Sequence, residues 1–109
     1  MKIVVTSTGE SLDSPVDPRF GRAAWFVLVD TETGEHRAVE NAAGRDAGHG
    51  AGIMAAQTVS SLGAEAVLTG ECGPKAVDAL KKAGIKIRTQ ASGTVAQTVD
   101  AFKKGGMIV

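Results

Sequence analysis

The chain has 109 residues, with twelve Lys and Arg balancing twelve Asp and Glu, three Phe, one Trp and a single cysteine. This is enough for one domain, 1–109, which can bury a core without a disulfide or structural metal. The charge balance leaves no basic excess for nucleic acid or an anionic membrane, and the few aromatics cannot build a base-stacking platform. Cys72 alone excludes an internal disulfide, a zinc site of Cys pairs and a cluster held by four thiolates of one chain. The longest apolar run, Ala23 to Val29, is far too short to cross a membrane. Met1 to Thr6 reads as a strand rather than a signal peptide, so the expected setting is the reducing cytoplasm.

Ile3 to Thr6 is β-branched and apolar, as in a strand buried on both faces. Ser7 to Arg22 has no periodicity, is broken by Gly9, Pro15, Pro18 and Gly21, and reads as a long functional or mobile loop. Trp25 to Asp30 is a second strand, Thr31 to Gly34 a hairpin turn, and His36 to Asn41 an alternating edge strand. A Gly-rich stretch from Asn41 to Gly52 precedes a helix whose apolar face is Ala51, Met54, Ala55, Thr58, Val59 and Leu62, stopped by Gly63. Ala64 to Thr69 is a strand. Gly70 to Gly73 leads to Pro74 at a first helical position, with Ala76, Val77, Leu80 and Ala83 as the buried stripe and Gly84 as the stop. Ile85 to Arg88 is a second edge strand. Thr94 and Gln97 are spaced as a capping box for a third helix, which buries Val95, Val99 and Phe102. The tail from Gly105 to Val109 is either a frayed end or a short extra strand. Trp25 and Met54 are expected in the core, while His36 and Lys81, Lys82, Lys103 and Lys104 are expected in solvent.

The order β-β-β-α-β-α-β-α predicts a three-layer α/β fold with a five-stranded mixed sheet, order 3-2-1-4-5, in which strand 2 alone is antiparallel. The loops after strands 1, 3, 4 and 5 then gather at one rim, where open α/β sheets bind ligands. All three helices are expected to begin there. Their free N–H groups, with Arg19, Arg22, Arg45 and His49, would form an anion cradle. A helix N-terminus beside Cys72 is expected to lower its thiol pKa, and a thiolate and an imidazole suit copper, iron or zinc. The plainer alternatives are a small buried Cys72, a helix-capping His49, and arginines that only pair with Asp13 and Asp17.

Ser14 to Ala23, His49 to Gly52, Gly70 to Ala76 and Leu80 to Ile85 together resemble the dinitrogenase iron–molybdenum cofactor-binding family. That family includes NifX-type carriers, the C-terminal domain of NifB and a small orange protein holding a molybdenum–copper sulfide cluster. The resemblance spans essentially the whole chain. It implies a ribonuclease H-like topology and non-enzymatic, non-covalent carriage of an anionic metal–sulfur cluster. The cluster would be a molybdenum–copper sulfide or an iron–molybdenum cofactor precursor, passed on to a protein recipient. The resemblance carries that role onto the Phe20–Arg22 loop, His49 and the Gly70–Gly73 turn. With the rim geometry, the candidate binding residues are Arg19, Phe20, Gly21, Arg22, His49, Gly50, Gly70, Cys72, Gly73 and Ser92, with Cys72 and His49 as metal ligands. Many relatives carry an aliphatic residue where Cys72 stands. No three-cysteine radical motif is present. Two other readings use the same rim. One is a small enzyme acting on a phosphorylated metabolite, with Asp17, Asp46 or His49 as base. The other is a regulatory protein-interaction module. Ribonuclease H chemistry is not expected, because the first strand offers no carboxylate for a two-metal site.

Overall fold

In the computed structural model, residues 1–105 are described. The strands are β1 (Lys2–Ser7), β2 (Trp25–Asp30), β3 (His36–Glu40), β4 (Ala66–Leu68) and β5 (Lys86–Arg88). The helices are α1 (Ala42–Arg45), α2 (Ala51–Ser61), α3 (Pro74–Lys82) and α4 (Val95–Lys103). The sheet order is β3-β2-β1-β4-β5, with β2 antiparallel to both neighbours and β1, β4 and β5 parallel, as the sequence predicts. The tail expectation falls mostly on residues 106–109, outside the described residues.

β1 sits in the centre because its side chains suit both faces. Val4 turns toward α2 and α3, where it meets Phe26, Ala55, Val59, Val67 and Leu80. Ile3 and Val5 turn the other way, onto Val27, Val29, Ala66, Leu68 and the Val95–Val99 face of α4. Two cores thus flank one sheet, which is the three-layer arrangement. The helix-stopping Gly63 and Gly84 take φ of +77° and +75°, the left-handed geometry that ends a helix.

Several expectations change: Trp25 is only partly buried, Ala83 at the end of the α3 stripe is exposed, and two further differences have a clear cause. The Gly-rich stretch after β3 contains the short helix α1, anchored by Asn41, whose side-chain N–H groups reach the carbonyls of Gly21 and Ala23 at 3.0 and 2.9 Å. Met54 is not core: it is 41 % exposed, because α2 buries Ala55, Ala56 and Val59 instead. Gly52 explains the rotation. A Cβ there would stand 2.9 Å from the Ala76 Cβ, so α2 lies against α3 along a line of small residues and turns Met54 outward.

Candidate functional site

The loop from Thr8 to Ala24 is stitched to the rim rather than loose. Ser7 bridges Val16, Pro15 bridges Thr94, and Arg19 bridges Glu71. The Asp17 N–H donates to the Thr6 carbonyl at 3.0 Å, and the Thr6 hydroxyl donates back to the Asp17 carbonyl at 2.7 Å. The Asp17 carboxylate, 3 % exposed, accepts the N–H groups of Arg19 at 3.0 Å and Ala24 at 3.2 Å, and lies 3.6 Å from the Arg19 guanidinium. With both oxygens engaged, Asp17 is a clamp for this loop, not a free base. Beyond it, the Phe20 N–H reaches the Glu71 carbonyl at 3.1 Å and the Glu71 N–H reaches the Pro18 carbonyl at 2.7 Å. Gly70 permits this approach, since a Cβ there would meet the Pro18 carbonyl oxygen at 2.7 Å.

These loops frame an open cleft of about 690 Å³, walled by Pro18, Gly70, Glu71, Cys72, Thr89 and Gln90, with Gly73 at its edge. Gln90 holds φ +66°, a left-handed conformation costly for a residue with a side chain; its N–H is fixed to the Gly70 carbonyl at 2.9 Å.

The expected trio of helix ends divides unequally. α4 is closed. Its capping box joins the Thr94 hydroxyl to the Gln97 N–H at 3.1 Å and the Gln97 amide to the Thr94 N–H at 3.0 Å. The N–H groups of Val95 and Ala96 are taken by the carbonyls of Ser14 and Leu12 at 2.9 and 2.8 Å. Ser92, exposed before this end, uses its carbonyl to accept the Thr98 hydroxyl at 3.1 Å. The sequence expectation of three open ends is therefore corrected, because the long loop satisfies α4 internally. α2 and α3 are open. Gly50 and Gly73 are their N-caps, neither end has a side-chain cap, and the N–H groups of Ala51, Gly52, Ile53, Lys75 and Ala76 have no partner among the described residues. The Gly52–Ala76 contact sets these two ends side by side, and Gly21 crosses against Gly52.

Gly73 is informative. Its φ of −68° and ψ of 161° match the extended geometry of Thr94, and a Cβ would meet nothing within 4 Å. Ser, Thr or Asp would fit and cap α3. The fold does not require glycine here; its consequence is a bare row of amides beside the cleft. Gly50 differs, because its φ of +71° is left-handed.

The other sequence-named residues fall into distinct places. Phe20 belongs to the core: it is 1 % exposed and its ring lies 5.8 Å from that of Phe26, so its side chain faces away from the cleft. Arg19 is exposed over the loop. Arg22 donates to the Arg45 carbonyl at 3.3 Å, and Arg45 pairs with Glu40 and Asp46 at 2.8 and 3.3 Å. His49 is exposed just before Gly50, at the open end of α2, while Cys72 lies in the cleft wall. The thiol expectation reverses: burial pushes Cys72 up from 9.0 to about 11. Among the described residues, no three His, Cys, Asp or Glu side chains converge to hold a metal ion. The donor set fits a hydrogen-bonded anion better than a bare cation. The sequence reading passed over Lys75, an exposed cation on the first turn of α3 with no ion-pair partner among the described residues, and the thioether of Met54 on the first turn of α2. Lys75 could have been found from its place directly after Pro74. Glu71 is an exposed opposing charge in the cleft.

Comparison with known proteins bears on this geometry. Residues 1–105 match the family described as dinitrogenase iron–molybdenum cofactor. The chain belongs to that family. Its fold is very similar to the apo form of the orange protein from Desulfovibrio gigas, with a TM-score of 0.97, 48 % identity, and 99 % of this chain and 91 % of that one covered. A NifB-designated protein from Thermotoga gives a TM-score of 0.84 at 38 % identity, over 97 % of this chain and 90 % of that one. An uncharacterised protein of Methanocaldococcus jannaschii is 30 % identical over 93 residues, 83 % of this chain and 78 % of that protein. No helix among the described residues is long and apolar enough to cross a membrane.

Proposed function

We propose that the protein is a non-enzymatic carrier of an anionic metal–sulfur cluster, a molybdenum–copper sulfide, which it holds without covalent bonds and delivers to a protein recipient. The cargo sits at the cleft between the Arg19–Glu71 crossing and the adjoining starts of α2 and α3. The bare N-cap Gly73 carries this reading: an N-terminus with room and geometry for a side-chain cap leaves its amides open beside a cleft. Sulfide ligands of an anionic cluster accept hydrogen bonds, and two helix ends supply N–H donors and positive potential. Arg19, Lys75 and His49, exposed on the segments that lead into these ends, would add donors. Neutral net charge is compatible with this, because the potential is local. Membership of the family and the likeness to the orange protein support the same class of cargo.

Cys72 enters as a protonated thiol in the wall. Its role as a metal ligand requires loss of that proton, so uptake through its sulfur strengthens as pH rises. His49 and Met54 offer imidazole and thioether to a soft metal at the edge of the cluster.

The test is anaerobic incubation of the purified protein with tetrathiomolybdate and a copper(I) salt, followed by gel filtration, visible spectroscopy and elemental analysis. Co-elution of molybdenum, copper and a charge-transfer band with the protein is expected. Co-elution only of an iron–molybdenum cofactor precursor would reassign the cargo, and retention of neither overturns the proposal.

A further inference from the structure

The sheet has two outer edges of different character. β3 carries mixed signs, with His36, Arg37 and a Glu40 already paired to Arg45. β5 is short and carries only cations. Lys81, Lys86 and Arg88 surround it, and none forms an ion pair among the described residues. Lys86 donates its N–H to the Glu65 carbonyl at 3.0 Å, and the Arg88 carbonyl accepts the Thr69 N–H at 3.0 Å, so these residues face β4. By strand alternation, the N–H and C=O of Ile87 face outward. Among the described residues, the Ile87 carbonyl accepts only the neighbouring Arg88 guanidinium, at 3.2 Å, and the Thr89 N–H has no partner.

Along this edge runs a groove of about 360 Å³, floored by Val77, Ile85 and Ile87 and bordered by Lys81 and Arg88. It ends at Thr89, which also lines the cargo cleft. Unpaired backbone groups, an apolar floor and uniform positive charge specify an occupant. We infer that the outer edge of β5 docks an acidic, extended segment of another polypeptide by strand addition. Backbone pairing supplies affinity, and the charges supply choice of partner. The same cations keep two copies of this edge apart, since like charges oppose self-pairing. Nucleic acid is a poorer fit, because the groove has no aromatic surface for bases. That this partner delivers or receives the cargo rests on the proposed function; the docking itself does not.

The experiment titrates the isotope-labelled protein without cargo with the peptide acetyl-Glu-Val-Glu-Val-Glu-amide, read by amide NMR and hydrogen exchange. The amides of Ile87 and Thr89 should shift and exchange at least tenfold more slowly. A peptide N-methylated on its pairing edge should lose the effect. The K86E/R88E double variant should weaken binding at least tenfold and accept the corresponding lysine peptide. Equal response to acidic and basic peptides, or shifts with no slowing at Ile87 and Thr89, overturns the inference. So does an Ile87 amide already protected before peptide is added, which would mean that the edge is not free. Cluster uptake is measured separately, so either idea can fail alone.

Discussion

The N-termini of α3 and α4 begin at the same rim with the same extended N-cap geometry, yet one is open and one is filled. Thr94 caps α4 from within, and the carbonyls of Leu12 and Ser14 take its remaining amides. Gly73 gives α3 no side-chain cap, and no loop carbonyl among the described residues takes its first amides. Both ends carry the same half-charge. The difference lies in which N–H groups remain available, and that turns on one side chain at the N-cap and on where the long loop runs. A helix end is a binding site only when the fold leaves it unfinished.

The largest effect comes from freeing the loop that fills α4. Replacing Asp17 with Ala leaves the N–H groups of Arg19 and Ala24 without their acceptor, at about 1–3 kcal/mol each when buried. Asp17→Ala is expected to lower stability by roughly 2–4 kcal/mol in urea unfolding and to raise exchange of the Val95 and Ala96 amides. Unchanged exchange there would mean that the loop holds its path without the clamp. Next, Gly73→Asp gives α3 the cap it lacks. It should stabilise the fold by a few tenths of a kcal/mol, since Gly is only slightly worse than Asp as an N-cap. It should also cut cluster affinity by about tenfold or more, by occupying the amides and adding like charge. Uptake as strong as that of the parent protein would sink the proposed site. Thr94→Ala is the counterpart on α4. It removes one acceptor at a cost of about 1 kcal/mol and should leave cargo uptake untouched.

The sheet order was legible because β1 is apolar on both faces, the flanking strands alternate, and glycines end the two crossover helices. The Thr94–Gln97 box was legible too, although it also means that this end is not available to a ligand. Other features were not local. Met54 reads as core on a helical wheel, and only the Gly52–Ala76 contact shows that α2 is turned. Phe20 reads as part of a binding loop, but a large apolar side chain in a loop anchors that loop when a core pocket lies beneath it. Gly70 and Gly73 look alike in sequence. One is required by the close approach of Pro18, and the other by nothing in the fold.

Cys72 sharpens the comparison most finely, because two opposing effects meet on one sulfur. The start of α3 favours a thiolate, and burial favours the thiol. Burial pushes the group up to about 11 from an ordinary 9.0. In the folded chain the thiol therefore keeps its proton between those values, where the unfolded chain has lost it. Its contribution to stability is intact below about pH 9 and disappears as pH climbs toward 11. Alkylation of the native protein by iodoacetamide should stay slow at pH 8 and rise to half its limiting rate near pH 11, while the urea-unfolded chain turns over near 9. A native midpoint below that of the unfolded chain would show the helix end dominating, and Cys72 would then reach a soft metal as a ready thiolate. A midpoint above it makes the sulfur part of the cleft's half-apolar wall until a bound metal displaces the proton. Cluster uptake through that sulfur should then release one proton per Cys72 engaged, and Cys72→Ser should abolish the release while the amides of α2 and α3 still hold the anion.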